Sequence, residues 1–273
     1  MSNELNQQGR GRIIIRIGQH HLSFTSVETA QADTPINYEP YVMKSGISVA
    51  ANLREALKGA ALDKMGYFKA LVLVDAPVLL IPVEIFEEPT MEAMYSHSFP
   101  RKEPTHVFYN VLPDLNAVAV FGVNKDLKTV LDDHFSDMKV IPVQLPVWRH
   151  LHKRSFTGAH SKLYSYLHDK KLDIFAFQKN RFKFYNQFET RRPGDVAYFQ
   201  LYVWKQLQLN ADHDELHLIG EQPGDMQDGL ADNLRCFLKK VYVVNPQADF
   251  NRAPATKVKD MPFDLVTLLT KGR

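Results

Sequence analysis

The stretch SKLYSYLHDKKLDIFAFQKNRFKFYNQFET, Ser161–Thr190, decides how this chain is read. Leu163, Ser165 and Leu167 alternate with Tyr164 and Tyr166, and Leu172, Ile174 and Ala176 alternate with Asp173, Phe175 and Phe177. Further on, Phe182, Phe184 and Phe188 alternate with Lys183, Tyr185 and Gln187. A period of two places each set on one face of a pleated strand. The intervening His168-Asp169-Lys170 and Gln178-Lys179-Asn180 carry Asp and Asn, which tolerate left-handed backbone and bond to their own chain. The stretch therefore predicts an antiparallel meander with strands at 162–167, 172–178 and 182–188.

Upstream, Arg12–Ile17 is a β-branched run that reads as a buried strand. After Gly18-Gln19 the chain returns through His21–Val27, and a short strand at 41–43 follows. Ser48 is placed to cap a helix over 48–62, and Tyr67–Val74 reads as an apolar strand. Val78–Ile81 extends again, and Pro89 opens a short helix at Thr90. Two strands at 106–112 and 116–123 precede a helix capped by Asn124, a strand at 139–143 and a helix opened by Pro146. Beyond the meander, Pro193-Gly194-Asp195 starts a helix over 194–208, followed by a strand at 215–219, a helix at 226–238 and a strand at 240–244. Residues 247–259 read as a linker and 262–269 as an apolar helix docking on the body. The order of elements at 12–74 matches that at 162–219, which predicts two mixed-sheet α/β domains with helices on both faces and an interdomain cleft.

The chain has 273 residues, enough for two domains, and a formal net charge of +2 that leaves no nucleic-acid footprint. The single Cys236 excludes an internal disulfide. Met1–Arg10 is a polar tail without the apolar core of a signal peptide. The apolar run Ala76–Phe86 is broken by Pro77, Pro82 and Glu84 and is too short to span a bilayer. A cytoplasmic protein with no membrane association is expected.

The duplicated order of elements resembles the actin-like ATPase (ribonuclease H-like) superfamily. Val118–Leu151 (VAVFGVNKDL…KVIPVQLPVWRHL, without the 128–138 piece) is similar to a stretch in the bacterial actin-like proteins of pilus assembly and cell division. As a whole the chain is similar to an uncharacterised bacterial family of Bacteroides-type organisms assigned that fold. The resemblance implies a first half at 11–104, an inserted strand–helix–strand subdomain at 105–154, a second half at 155–246 and a C-terminal segment at 247–273. It also implies where chemistry would sit. Each half of such proteins opens with a strand ending Asp-x-Gly, whose acid serves a metal–water shell and whose glycine lets backbone amides reach phosphate. Here Arg16-Ile17-Gly18-Gln19-His20-His21 keeps Gly18 but has Arg16 in place of the acid, and Leu167-His168-Asp169-Lys170-Lys171 has no glycine. The adenosine loop corresponds to Gly220-Glu221-Gln222-Pro223-Gly224, where Glu221 and Pro223 crowd or stiffen the approach. Gly18, Gln19, His20, Gly220, Glu221 and Gly224 are thus the candidate ligand-binding residues of degenerate loops. No catalytic residue and no metal ligand is assigned, and neither ATP nor Mg²⁺ is an expected cofactor.

Other groups have bland and functional readings. Asp212, His213, Asp214, Glu215 and His217 are the densest set of potential metal ligands, yet only Glu215 and His217 share a face of the expected strand. Arg149, His150, His152, Lys153 and Arg154 form a basic helix end that suggests either contact with nucleic acid or an acidic partner, or a cationic end that the helix dipole favours without any ligand; the near-neutral total charge disfavours nucleic acid. Tyr164, Tyr166, Phe175, Phe177, Phe182 and Phe184 suggest either a stacking platform for bases or sheet core. Cys236, among Leu234, Phe237 and Leu238, reads as a core residue. The expected function is that of a non-catalytic actin-like scaffold or regulator with a protein partner or a second copy of itself. Binding of a nucleotide or phosphate ligand in the cleft without hydrolysis is the alternative.

Overall fold

The computed structural model describes residues 12–27, 36–59, 69–100, 103–220 and 229–270. The chain divides into two compact units, one formed by Met1–Val111 and Val118–Val143, the other by Leu112–Ala117 and Gln144–Arg273.

In the first unit, β1 (Ile13–Ile17), β2 (His21–Val27), β3 (Ile36–Val42), β4 (Lys69–Val74) and β8 (Asp137–Pro142) form one sheet in the order β3-β2-β1-β4-β8. The β1–β2 and β2–β3 pairs are antiparallel, whereas β1–β4 and β4–β8 are parallel. Helix α1 (Val49–Gly59) starts where Ser48 Oγ accepts from Ala51 N at 3.1 Å. Its buried Asn52 accepts from Lys44 N at 2.8 Å and donates to the carbonyls of Lys44, Ile47 and Ser48, so one amide fixes the entry loop. A second sheet, in the order β5-β7-β6, joins β5 (Val78–Pro82) to β6 (Thr105–Leu112) and β7 (Ala117–Asn124). Helix α2 (Met91–Ser98) covers it, with Tyr95 packed among Ile81, Val107, Val118 and Val120. Asn124 caps α3 (Lys125–His134), its Oδ1 accepting from Asp126 N at 2.8 Å and Leu127 N at 3.2 Å. The segment expected as an insert is therefore shared out: β6 and β7 pair with β5, and β8 extends the large sheet beside β4.

In the second unit, helix α4 (Gln144–Ser155) precedes the meander of β9 (Lys162–His168), β10 (Lys171–Gln178) and β11 (Arg181–Glu189). It begins two residues before Pro146, whose missing N–H falls in a first turn that needs no intrahelical donor. Then follow α5 (Pro193–Gln206), β12 (Glu215–Gly220), α6 (Leu230–Arg235), β13 (Val241–Val243), α7 (Pro246–Asp249) and α8 (Phe263–Thr270). The sheet order is β11-β10-β9-β12-β13, again with two antiparallel pairs followed by two parallel ones. The region expected as a linker thus holds α7, whose start is fixed by Pro246 and by Asn245 Oδ1 accepting from Gln247 N at 3.0 Å, and a 3-10 turn at Pro254–Lys257.

Period-two patterning assigns the two faces of this sheet. Leu163, Leu167, Leu172, Ile174 and Ala176 pack with Val196, Val203 and Trp204 of α5 and Leu230 and Leu234 of α6. Ser165 lies on the same face and accepts from Gln200 of α5 at 2.6 Å. The opposite face carries Tyr164, Tyr166, Phe175 and Phe177 and is covered by α4 and α8, so these rings are core rather than a platform for bases. One expectation fails on β11. A register shift between Ala176 and Phe177 pairs them with Phe184 and Phe182, which moves Phe182 onto the face of Phe177 and against Trp148 of α4. Phe184 and Phe188 remain on the α5 face.

On the α4 side the meander buries a carboxylate. Asp173 is fully buried; its Oδ2 lies 2.6 Å from His168 Nε2, and its Oδ1 accepts from Tyr185 Oη at 3.0 Å and Gln187 Nε2 at 3.2 Å. Tyr166 Oη donates to the buried Asp264 of α8 at 2.8 Å. Replacing Asp173 by Leu removes the acceptor shared by buried His168 and half-buried Tyr185 and Gln187 and is expected to destabilise the protein by about 3–5 kcal/mol, read by chemical denaturation. A loss below about 1 kcal/mol would show that the seam contributes little.

Candidate functional site

The loops that the resemblance singles out are built for sheet geometry. Arg16 lies within β1, paired with Ser23 and Leu73, and is only 4% exposed. Gly18 N donates to His21 O at 2.9 Å, closing a tight β1–β2 hairpin that leaves Gln19 and His20 exposed. The corresponding turn after β9 places Asp169 and Lys170 at φ 44° and 61°, a two-residue reversal with side chains at both positions. Lys170 O accepts from Thr190 N and Oγ1, which ties the turn to the end of β11. Gly220 closes β12 at φ 88°, and a Cβ there would lie 2.1 Å from Leu167 O on β9. Its glycine is thus required by close strand packing. Glu221 and Gly224 lie outside the described residues.

The acidic and histidine cluster at 212–217 disperses. Asp214 accepts from Ser161 N and Asn210 N, Asp212 pairs with Lys239 at 2.7 Å, and His213 stacks on His160. Only Glu215 and His217 meet, at 2.9 Å. Cys236 is exposed, contrary to the core reading, because α6 ends at Arg235; Phe237 is exposed with it, and Leu238 returns to the core. The basic helix end also splits. His152 is buried against Phe156 and Phe177 with Nε2 3.0 Å from Lys179 O, while His150 and Arg154 both turn to Asp249.

That last arrangement borders a recess of about 650 Å³ in the second unit. Helix α4 covers β9 to β11 and leaves the adjoining face of β12 and β13 partly open. The parallel register places Tyr164, His217 and Tyr242 side by side, with ring centroids 5.3 Å apart at both steps. His150 Nε2 lies 2.6 Å from Asp249 Oδ2, and Arg154 Nη1 pairs with Asp249 Oδ1. Asn245 and Ala248 complete the rim. Burial lowers the His217 pKa below the ordinary 6.5, overriding the opposing hydrogen bond and charge of Glu215, so its ring is neutral at pH 7. The ring triplet was present in the sequence as period-two positions of three strands, but only the register aligns them. Asp249 gave no local signal, since its partner His150 is 99 residues away.

Residues 2–241 match the family described as "Protein of unknown function (DUF3822)". The chain belongs to that family. Among solved structures, this DUF3822 protein is similar to a Bacteroides thetaiotaomicron protein with actin-like ATPase fold and unknown function. The identity is 25% and the TM-score 0.80, covering 93% of this chain and 98% of that one. It is also similar in fold to the PilM–PilN type IV pilus biogenesis complex, at 12% identity and TM-score 0.60, over 95% and 96% of the two chains. No curated protein matches the sequence. The DUF3822 chain therefore has the actin-like ATPase fold, as its order of elements implied.

Two outcomes follow from this geometry. Gly220→Ala, which combines positive φ with a backbone clash, is expected to destabilise by more than about 1 kcal/mol in chemical denaturation; an unchanged midpoint would remove the packing role assigned to it. For His217 the folded pKa lies below the unfolded value, so the unfolded state binds more protons between the two. Its contribution to stability is therefore lost as pH falls through that window below 6.5. NMR titration of the imidazole should give a midpoint below 6.5, and His217→Gln should flatten the acid loss of stability; a midpoint at or above 6.5 would contradict the burial effect.

Proposed function

We propose that this chain is a non-hydrolysing actin-like protein that works as a scaffold or regulatory partner. ATP hydrolysis on such a fold needs an acid to hold the metal's water and backbone amides that approach phosphate. The observation that carries the reading is the use of these positions. Arg16 is buried within β1, His168 is held by Asp173, and the turn between β9 and β10 carries Asp169 and Lys170 where glycine would open the backbone. Gly220 answers to the carbonyl of Leu167. A surface suited to a protein partner is present on α5, where the exposed Tyr198 and Tyr202 stack with centroids 6.1 Å apart. Occurrence of a similar fold in a two-protein complex, PilM–PilN, is consistent with that role. Among the described residues no helix is long and apolar enough to cross a membrane, and a cytoplasmic location is part of the proposal.

Purified protein with Mg²⁺ and ATP should release no phosphate above background, and ATP, ADP and GTP should leave Tm unchanged. A bound nucleotide at 100 times its Kd would add about 2.7 kcal/mol of stability. A shift without turnover would replace the scaffold reading with nucleotide binding. Turnover that is lost on Gly18→Ala would overturn the proposal.

A further inference from the structure

The recess beside β12 and β13 presents a single exposed charge. The acid that lines it is shielded: the Asp249 side chain is 6% exposed and already holds His150 and Arg154, and nearby Glu215, 19% exposed, holds His217. The Arg154 side chain, by contrast, is 51% exposed. Asp249 takes Nη1, so an incoming group meets the other edge of the guanidinium. That edge suits the two oxygens of one carboxylate. A dianionic phosphate would bring a second negative charge beside Asp249, which disfavours it. The floor is aromatic. Tyr242 is 46% exposed, and its ring continues the row of His217 and the buried Tyr164. Among the described residues no group is within hydrogen-bonding distance of the Tyr164 hydroxyl, whose electrostatic neighbours are Arg154 and Glu215. A volume of about 650 Å³ falls in the range of small-molecule sites.

We propose that this recess binds a small planar ring bearing one carboxylate, with the acid on Arg154 and the ring laid on Tyr242 and His217. The site is independent of the scaffold reading, since it uses none of the loops on which that reading rests.

The test uses the full chain, NMR of the His217 and Tyr242 ring protons, and benzoate as probe. Benzoate is expected to shift both sets of signals saturably. Benzamide, which keeps the ring without the charge, and acetate, which keeps the charge without the ring, should each bind at least tenfold more weakly. Arg154→Gln and Tyr242→Ala should each weaken benzoate at least tenfold. Tyr242 is exposed, so its variant tests the site even if loss of the Arg154–Asp249 pair perturbs the fold, and an unchanged Tm confirms that each variant is native. The proposal is overturned if benzoate leaves these signals in place, if benzamide matches it, or if the native Tyr242→Ala protein binds it equally well.

Discussion

The carboxylate of Asp173 is the constraint on which the second unit depends. It sits on the middle strand of the meander and takes hydrogen bonds from His168 on β9 and from Tyr185 and Gln187 on β11. A buried acid without such partners would lose several kcal/mol of solvation. The three strands can therefore pair in only one register on that face, because a slip of β10 by one residue would turn Asp173 toward Leu163 and the apolar side chains of α5. The order of the meander follows, and with it the face on which α4 and α8 must dock.

The two large sheets share strand order and strand sense, but their opening turns differ in kind. One is a glycine hairpin with exposed Gln19 and His20, the other a two-residue turn with side chains throughout. In both, the backbone groups nearest the turn are occupied by the sheet itself, as Gly18 N on His21 and Lys170 O on Thr190 illustrate. The fold thus keeps its architecture while its turns serve pairing. That division is what an actin-like frame used for holding rather than for hydrolysis would be expected to show.

Elements with strong local periodicity were legible in the sequence: the meander, β1, α3 with its Asn124 cap and α5 with Pro193 at its start. Capping at Asn124 could be read because both partners lie within three residues. What could not be read depends on distance along the chain. The bulge opposite Phe182 arises from pairing between strands, and α7 stands in a polar stretch with no apolar stripe. The recess depends on the register of β9, β12 and β13 and on Asp249, whose neighbours in space are remote in sequence. Cys236 was misplaced because α6 is six residues long and ends before it, so helical spacing no longer applied.

The bond between Tyr166 and Asp264 spans 98 residues and joins β9 to α8. Closing so long a loop comes late in folding, because chain entropy is lost before the contact rewards it. During synthesis α4, β9 and β10 emerge well before residues 263–270 exist, so the part of this face around Tyr166 that α8 covers lacks its cover throughout that interval. The patch around Tyr166 is thus open to misassociation while the protein is being made.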